Sequence, residues 1–282
     1  MKITEYSDPS TFLSILENDF STPFENELMI GLTSTLLKNP NHYQTKPFLS
    51  TIEDQGNMKL AAFLTPPWPI VLYSEDTPSI QSLNCLIEHL ENSNISLSGV
   101  NAKNDLSSLF SKQWSLKKNC SSFQKMKMAL FVLNHLNPIE LCNGYLIEAE
   151  EKHFDLIYDW ALLFQKDLNL NYENEVLIKK HVEYIIKSGN AFLWVDDKPV
   201  SMVFLERAHK IGFSIGYVYT PDNLRYKGYA TNLVYELCKK SLCKGYLYSS
   251  LLTDLENPIS NHIYKKIGFN EICEYQIFDF KY

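Results

Sequence analysis

Between residues 211 and 230 an apolar, β-prone run ends at Tyr217-Val218-Tyr219 and a short stop follows, Thr220-Pro221-Asp222. Arg225-Tyr226-Lys227-Gly228-Tyr229-Ala230 then opens a helix. A strand, a short loop and a helix start are the parts needed to hold an anion. The first N–H groups of a helix have no partner inside it and carry the positive end of its dipole. A diphosphate can accept from them directly. Glycine at 228 lets a ligand approach the backbone with no Cβ in the way. Ala230 keeps the next position small, and Arg225 and Lys227 add positive charge. Only two arginines, Arg207 and Arg225, stand among the 26 Lys and Arg residues, and one of them is in this loop. The plainer reading of the same residues is a tight strand-to-helix turn that contains a glycine.

A second group runs from Asn257 to Phe269 and reads as one complete short helix. Asn257 suits the N-cap, and Pro258 suits the first helical position, where its missing N–H does no harm. Ile259, Ile263 and Ile267 recur every four residues and are expected on the core. Gly268 is a C-terminal stop. Tyr264 lies one position off that stripe, so the pattern places it at the edge of the core with its hydroxyl toward a cleft. An amphipathic edge tyrosine fits as well in a chain with 17 tyrosines.

R-x-x-G-x-A after a strand resembles the acetyl-CoA loop of the GNAT superfamily, the Gcn5-related N-acetyltransferases. N-x-x-S-x-x-x-Y-x-x-x-G-F resembles the fourth motif of the same enzymes, and it follows the loop at about 30 residues, the spacing a helix and a strand require. The resemblance implies acetyl-CoA as co-substrate and no metal. Backbone amides from Lys227 to Thr231 would bind the CoA pyrophosphate, beside Arg225 and Tyr226. The strand end at Tyr217, Val218 and Tyr219 would pair with the pantetheine arm and polarise the thioester carbonyl. Asn257 and Ser260, and with them Asn261, would contact the cofactor. Tyr264 would protonate the departing thiolate. An amine of a small molecule or peptide would attack the thioester directly.

Such an attack needs a base. The strand from Ile211 to Tyr219 has no carboxylate, which leaves Glu206 and His209 at the preceding turn; a solvated hairpin is the preferred reading of both, and the base is unassigned. Two other readings stay open: a sensor that binds acyl-CoA without turnover, and a transferase of aminoacyl or longer acyl groups.

Composition narrows the partners. Apolar residues make up 45% and charged residues 21%, an ordinary globular balance. A net charge of −7 argues against nucleic acid and anionic membrane surfaces. None of the six cysteines forms a CxxC pair and the seven histidines show no HxxxH spacing, so idle thiols in a reducing cytosol and no metal are expected. No apolar run reaches the roughly 18 residues of a membrane helix, and no signal peptide is visible. A cytoplasmic protein is expected.

These residues need a frame. Hydrophobic periodicity and turn signals give strands near 2–6, 48–52, 58–64, 70–73, 95–100 and 126–133, with helices near 11–20, 26–38, 79–90 and 106–112. The stretch from His135 to Pro138 reads as a linker. Strands then fall near 145–148, 191–195, 200–206, 211–219, 246–252 and 274–280, with helices near 154–166, 173–187, 230–242 and 258–266. Each half is thus β-α-α-β-β-β-α-β-α-β, which predicts an α/β or α+β mixed sheet flanked by helices. The repeat predicts two tandem GNAT-like domains, a degenerate one over 1–137 and an acetyl-CoA-binding one over 138–282. The loop of the first half, Tyr73 to Ser79, has no glycine or arginine and two acids, which would repel a diphosphate.

Overall fold

The computed structural model describes residues 1–18, 24–40, 43, 45–168 and 175–282. The chain divides into two compact units, one of residues 1–130, 253–256 and 272–282, the other of residues 131–252 and 257–271. The sequence suggests a simple division after residue 137. The structure instead takes the last strand out of the second half and builds it into the first unit.

In the first unit, β1 (Lys2–Glu5), α1 (Pro9–Asn18) and α2 (Glu27–Lys38) precede β2 (Phe48–Asp54), β3 (Asn57–Leu64) and β4 (Ile70–Tyr73). Then come α3 (Ile80–Asn92), β5 (Gly99–Lys103), α4 (Asn104–Lys118) and β6 (Ser121–Leu133). Strands β1 to β4 pair antiparallel in order, and β4 pairs parallel with β5. β12 (Asn270–Lys281) closes the unit antiparallel to β5, with Phe278 opposite Val100. The core stacks Leu83, Leu86 and Leu90 of α3 and Phe110 and Trp114 of α4 on Leu60, Leu72 and Val100 of the sheet. The expected end of the first helix at Phe20 and the expected start of the 173–187 helix lie outside the described residues.

One strand is displaced from its expected place. The apolar residues Ile95 and Leu97 suggest a strand over 95–100, but β5 begins at Gly99. Asn94 takes φ +53 and the Ile95 N–H bonds back to the Leu90 carbonyl at 2.9 Å, so this stretch finishes α3. Leu97 is fully buried in the core from a loop.

In the second unit, β7 (Tyr145–Glu148), α5 (Phe154–Asp167), α6 (Glu175–Lys187), β8 (Ala191–Asp196) and β9 (Lys198–Leu205) lead to β10 (Gly212–Tyr219). α7 (Tyr229–Cys243), β11 (Tyr248–Asp254) and α8 (Pro258–Ile267) follow. β7, β8, β9 and β10 pair antiparallel in order, and β10 pairs parallel with β11. Ile157, Trp160 and Ala161 of α5 and Val182 and Ile186 of α6 pack on Ala191, Leu193, Met202 and Phe204. Phe192 alternates with those strand residues and lies beneath Lys240 of α7, 5.3 Å from its ammonium, so α7 covers the opposite face. Among the described residues no helix is long and apolar enough to cross a membrane, and no group of three or more His, Cys, Asp or Glu residues is placed to hold a metal.

Candidate active site

The residues of both motifs and the two base candidates fall in the second unit. Its geometry starts with β10. This strand pairs with β11 only from Gly212↔Tyr248 to Ser214↔Ser250, although both strands run on for several residues. Past Ser214 no further β10–β11 pair forms among the described residues. On its other side β10 pairs with β9, and that ladder shifts register between Gly216 and Tyr219. Tyr217 sits in the shift with φ +51, an unusual value for a bulky residue. Its ring is held by Phe164 and Phe204, each at 4.8 Å between centroids, and by His181 at 5.3 Å. Its hydroxyl accepts from Gln165 Nε2 at 2.8 Å. A bulge of this kind re-aims a strand's backbone groups, here at Tyr217, Val218 and Tyr219.

The loop after β10 ends at Gly228, which caps α7 with φ +85. No side chain caps the helix, whereas Ser79 accepts from the Ser82 N–H in α3 and Asn257 does the same for Ser260 in α8. The first N–H groups of α7, at Tyr229, Ala230 and Thr231, therefore keep their anion-binding capacity. Tyr226, at φ +64 and 87% exposed, and Lys227 line the approach. Tyr229 is buried, and its hydroxyl donates to Asp196, an acceptor that pushes the phenol up to about 12. Thr231 is buried as well, and Ala230 is half-buried.

Arg225 is placed differently from the expectation. Its guanidinium bonds Asp167 at 2.7 Å and Asp222 at 2.9 Å, donates through Nε to the Thr220 carbonyl at 2.9 Å, and lies over the Tyr219 ring. Two carboxylates already offset its charge. It braces the loop against α5, and Lys227 is the loop cation that forms no ion pair among the described residues.

The fourth-motif helix also departs from the pattern. Ile259 is 52% exposed and Ile263 is half-buried, while Tyr264 at 7% and Ile267 form the buried face. The stripe is thus Tyr264 and Ile267, three residues apart, and Tyr264 belongs to the core instead of its edge. Its ring packs at a tilt against Phe131 and edge-on against Phe269, with centroids at 6.4 and 5.7 Å. Burial raises its pKa far above the ordinary phenol, with a smaller contribution from Cys238 of α7. Cys238, fully buried, is itself pushed up to about 12 by desolvation. The Asn257 side chain is committed to its own helix, accepting from the Ser260 N–H at 3.1 Å. Ser260 and Asn261 are half-buried on the first turn.

The two base candidates separate cleanly. His209 Nε2 sits 3.2 Å from the Tyr248 hydroxyl, beside Gly212, where β10 and β11 are still paired. Glu206 lies past the last pair: a Cβ on Gly216 would be 3.1 Å from its Cγ. His181 of α6 stands 3.1 Å from Glu206 Oε1, with both side chains mostly covered. Nothing in the sequence marks His181, because it lies 25 residues from Glu206 on a helix whose apolar spacing shows only a core face.

The first unit repeats the strand order but fills the equivalent gap. β4 and β5 pair parallel only at Ile70↔Val100 and Val71↔Asn101. Past that point the Lys103 ammonium bonds the Glu25 carboxylate at 2.6 Å and the Glu75 carbonyl at 2.9 Å, and lies over the Tyr73 ring.

Residues 197–277 match the model of the FR47-like protein family. That stretch contains both motifs. Among solved structures, a Drosophila protein matches with a TM-score of 0.71 at 11% identity, over 99% of this chain and 98% of that one. An acetyltransferase of the GNAT family from Colwellia psychrerythraea matches at 0.60 and 13% identity, over the whole of both chains. A tandem GNAT protein from the clavulanic acid biosynthesis pathway matches at 0.54 and 10% identity, over 99% of this chain and 98% of that one. No curated protein matches the chain. At these identities the likeness establishes the fold.

Proposed function

We propose that this chain is a member of the GNAT superfamily and an N-acetyltransferase with its active site in the second unit, a reading supported by its FR47-like segment and by the fold it shares with GNAT structures. It would move the acetyl group of acetyl-CoA to an amine of a small molecule or peptide. The observation that carries the reading is the β10–β11 gap, which opens beside an uncapped α7 whose first residue follows a left-handed glycine. A long, thin ligand with a diphosphate at one end suits that shape.

In this reading the diphosphate accepts from the first N–H groups of α7, and the pantetheine arm runs along the β11-facing side of β10 past Ser214. The bulged amides at Tyr217 to Tyr219 polarise the thioester carbonyl and stabilise the charge that develops on its oxygen. Holding amine and thioester in contact supplies much of the rate by proximity alone. Glu206, paired with His181 beside Gly216, takes the proton from the ammonium, and the free amine then attacks the carbonyl carbon.

As the carbon–sulfur bond breaks, the thiolate takes the proton of Tyr264, and the second proton of the attacking nitrogen restores the phenol as the amide forms. A buried phenol gives up its proton reluctantly. Cys238 shows what burial does to a thiol near this phenol, for its pKa rises to about 12, and a leaving sulfur bound there would become a stronger base in the same way. Burial therefore strengthens the base together with the acid, and the transfer stays feasible.

The test is release of CoA from acetyl-CoA with a panel of amines, amino acids and peptides, using wild type and Glu206→Gln. Wild type is expected to turn over at least one class of amine, and Glu206→Gln to lose about 100-fold or more. Equal rates would remove Glu206 from the base role.

A further inference from the structure

The segment just before β7 is tied to the start of α7 by one side chain, Asn232. Asn232 is 2% exposed. Its Nδ2 donates to the Gly228 carbonyl at 2.9 Å, and its Oδ1 accepts from the Cys142 N–H at 3.1 Å. The Asn232 N–H adds a second bond to the same Gly228 carbonyl at 3.0 Å. The segment is anchored on its other side, where Trp194 Nε1 donates to the Asn143 carbonyl at 2.9 Å. At Gly144, φ +115, a Cβ would collide with Trp194 Nε1 at 2.4 Å and the Val195 carbonyl at 2.5 Å, so the strap lies directly on β8. Cys142 stands behind the loop, its Cβ 3.7 Å from where a Gly228 Cβ would be.

We infer that Asn232 is a positioning residue for the diphosphate loop; this rests on the acetyl-CoA reading. In a planar trans peptide the C=O and N–H point in opposite directions. Holding the Gly228 carbonyl down the helix turns the Tyr229 N–H out of the helix start, toward an incoming anion. Gly228 has no side chain to restrain its peptide, and its left-handed backbone is one of several conformations open to glycine. The Asn232 amide selects one of them, and Cys142, fixed by the strap, keeps the amide from rotating away. A second consequence follows: the segment joining the halves sets the geometry of the cofactor loop.

The experiment compares CoA with pantetheine, which lacks the diphosphate, by calorimetry on the full chain. In Asn232→Ala the CoA affinity should fall about tenfold, the effect of one lost hydrogen bond, while the pantetheine affinity stays unchanged. Asn232→Asp serves as the second variant if the first does not fold. It still accepts from Cys142 but sets a carboxylate against the Gly228 carbonyl, and the same selective loss is expected. Equal weakening of CoA and pantetheine, or no weakening, overturns the inference. Failure of the wild-type protein to bind CoA would instead overturn the acetyl-CoA reading.

Discussion

Replacing Tyr264 with phenylalanine removes one oxygen and leaves the ring. The ring is held between Phe131 and Phe269, and the residue is 7% exposed, so phenylalanine fills the same space. Stability should change by less than about 1 kcal/mol, the net worth of one hydroxyl interaction. Tyr264→Ala would be the wrong probe, because a cavity of that size costs about 3 to 5 kcal/mol and confuses folding with chemistry. If the phenol protonates the leaving thiolate, Tyr264→Phe should slow turnover roughly 100- to 10,000-fold. That corresponds to about 3 to 5 kcal/mol on the barrier, at about 1.36 kcal/mol per factor of ten. CoA affinity should stay nearly intact, because the phosphate end of the proposed site is built on α7. The assay is thiol release from acetyl-CoA with the amine that serves wild type best, beside calorimetric CoA binding and a melting curve. Unchanged turnover in a folded variant refutes the role of Tyr264 as acid, and lost CoA binding refutes the division of labour.

Three further outcomes are expected. Cys238 is held near 12 in the folded chain, against about 8.5 for a free thiol. Between those values the unfolded chain releases the proton first, so stability falls as pH rises, by roughly 1 kcal/mol per unit. Below them both states keep the proton and the group contributes nothing. Denaturation at pH 8 and pH 10.5 should therefore show Cys238→Ala losing less stability than wild type over that span. Asn257→Ala should cost about 1 kcal/mol through the lost cap on α8. Asn257→Asp should keep the cap, and if the residue also faces the diphosphate it should weaken CoA severalfold by charge repulsion. Calorimetry with unchanged CoA affinity would leave Asn257 a cap alone. Lys103→Met leaves Glu25 without its cation in a partly covered site and should cost about 1 to 3 kcal/mol in urea denaturation. The variant should still bind a single CoA.

Local signals in the sequence were enough for most elements. Pro258 and Gly268 bracket α8 as their backbone preferences require, and the glycine at 228 sits where the chain turns left-handed. Local signals failed where the outcome depends on distant chain. Ile95 and Leu97 have strand character, but the core takes Leu97 from a loop and leaves the strand to Gly99–Lys103, whose Asn101 and Lys103 hide its pattern. On α8 the isoleucine spacing gives a stripe, yet the neighbouring helix and Phe131 decide which face is covered, and they cover Tyr264. His181 meets Glu206, and Arg225 meets Asp167, only through the fold. The place of β12 beside β5 is a pairing across the whole chain that no local pattern encodes.

Calorimetric titration of the full chain with acetyl-CoA tests the central claim most directly. The account predicts saturable binding at one molecule per chain, since the first unit's loop from Tyr73 to Ser79 has two acids and no glycine or arginine, together with a rise in melting temperature as ligand exceeds its dissociation constant. No heat of binding and no melting shift at millimolar acetyl-CoA would contradict it, and two equivalent sites would contradict the reading of the first unit.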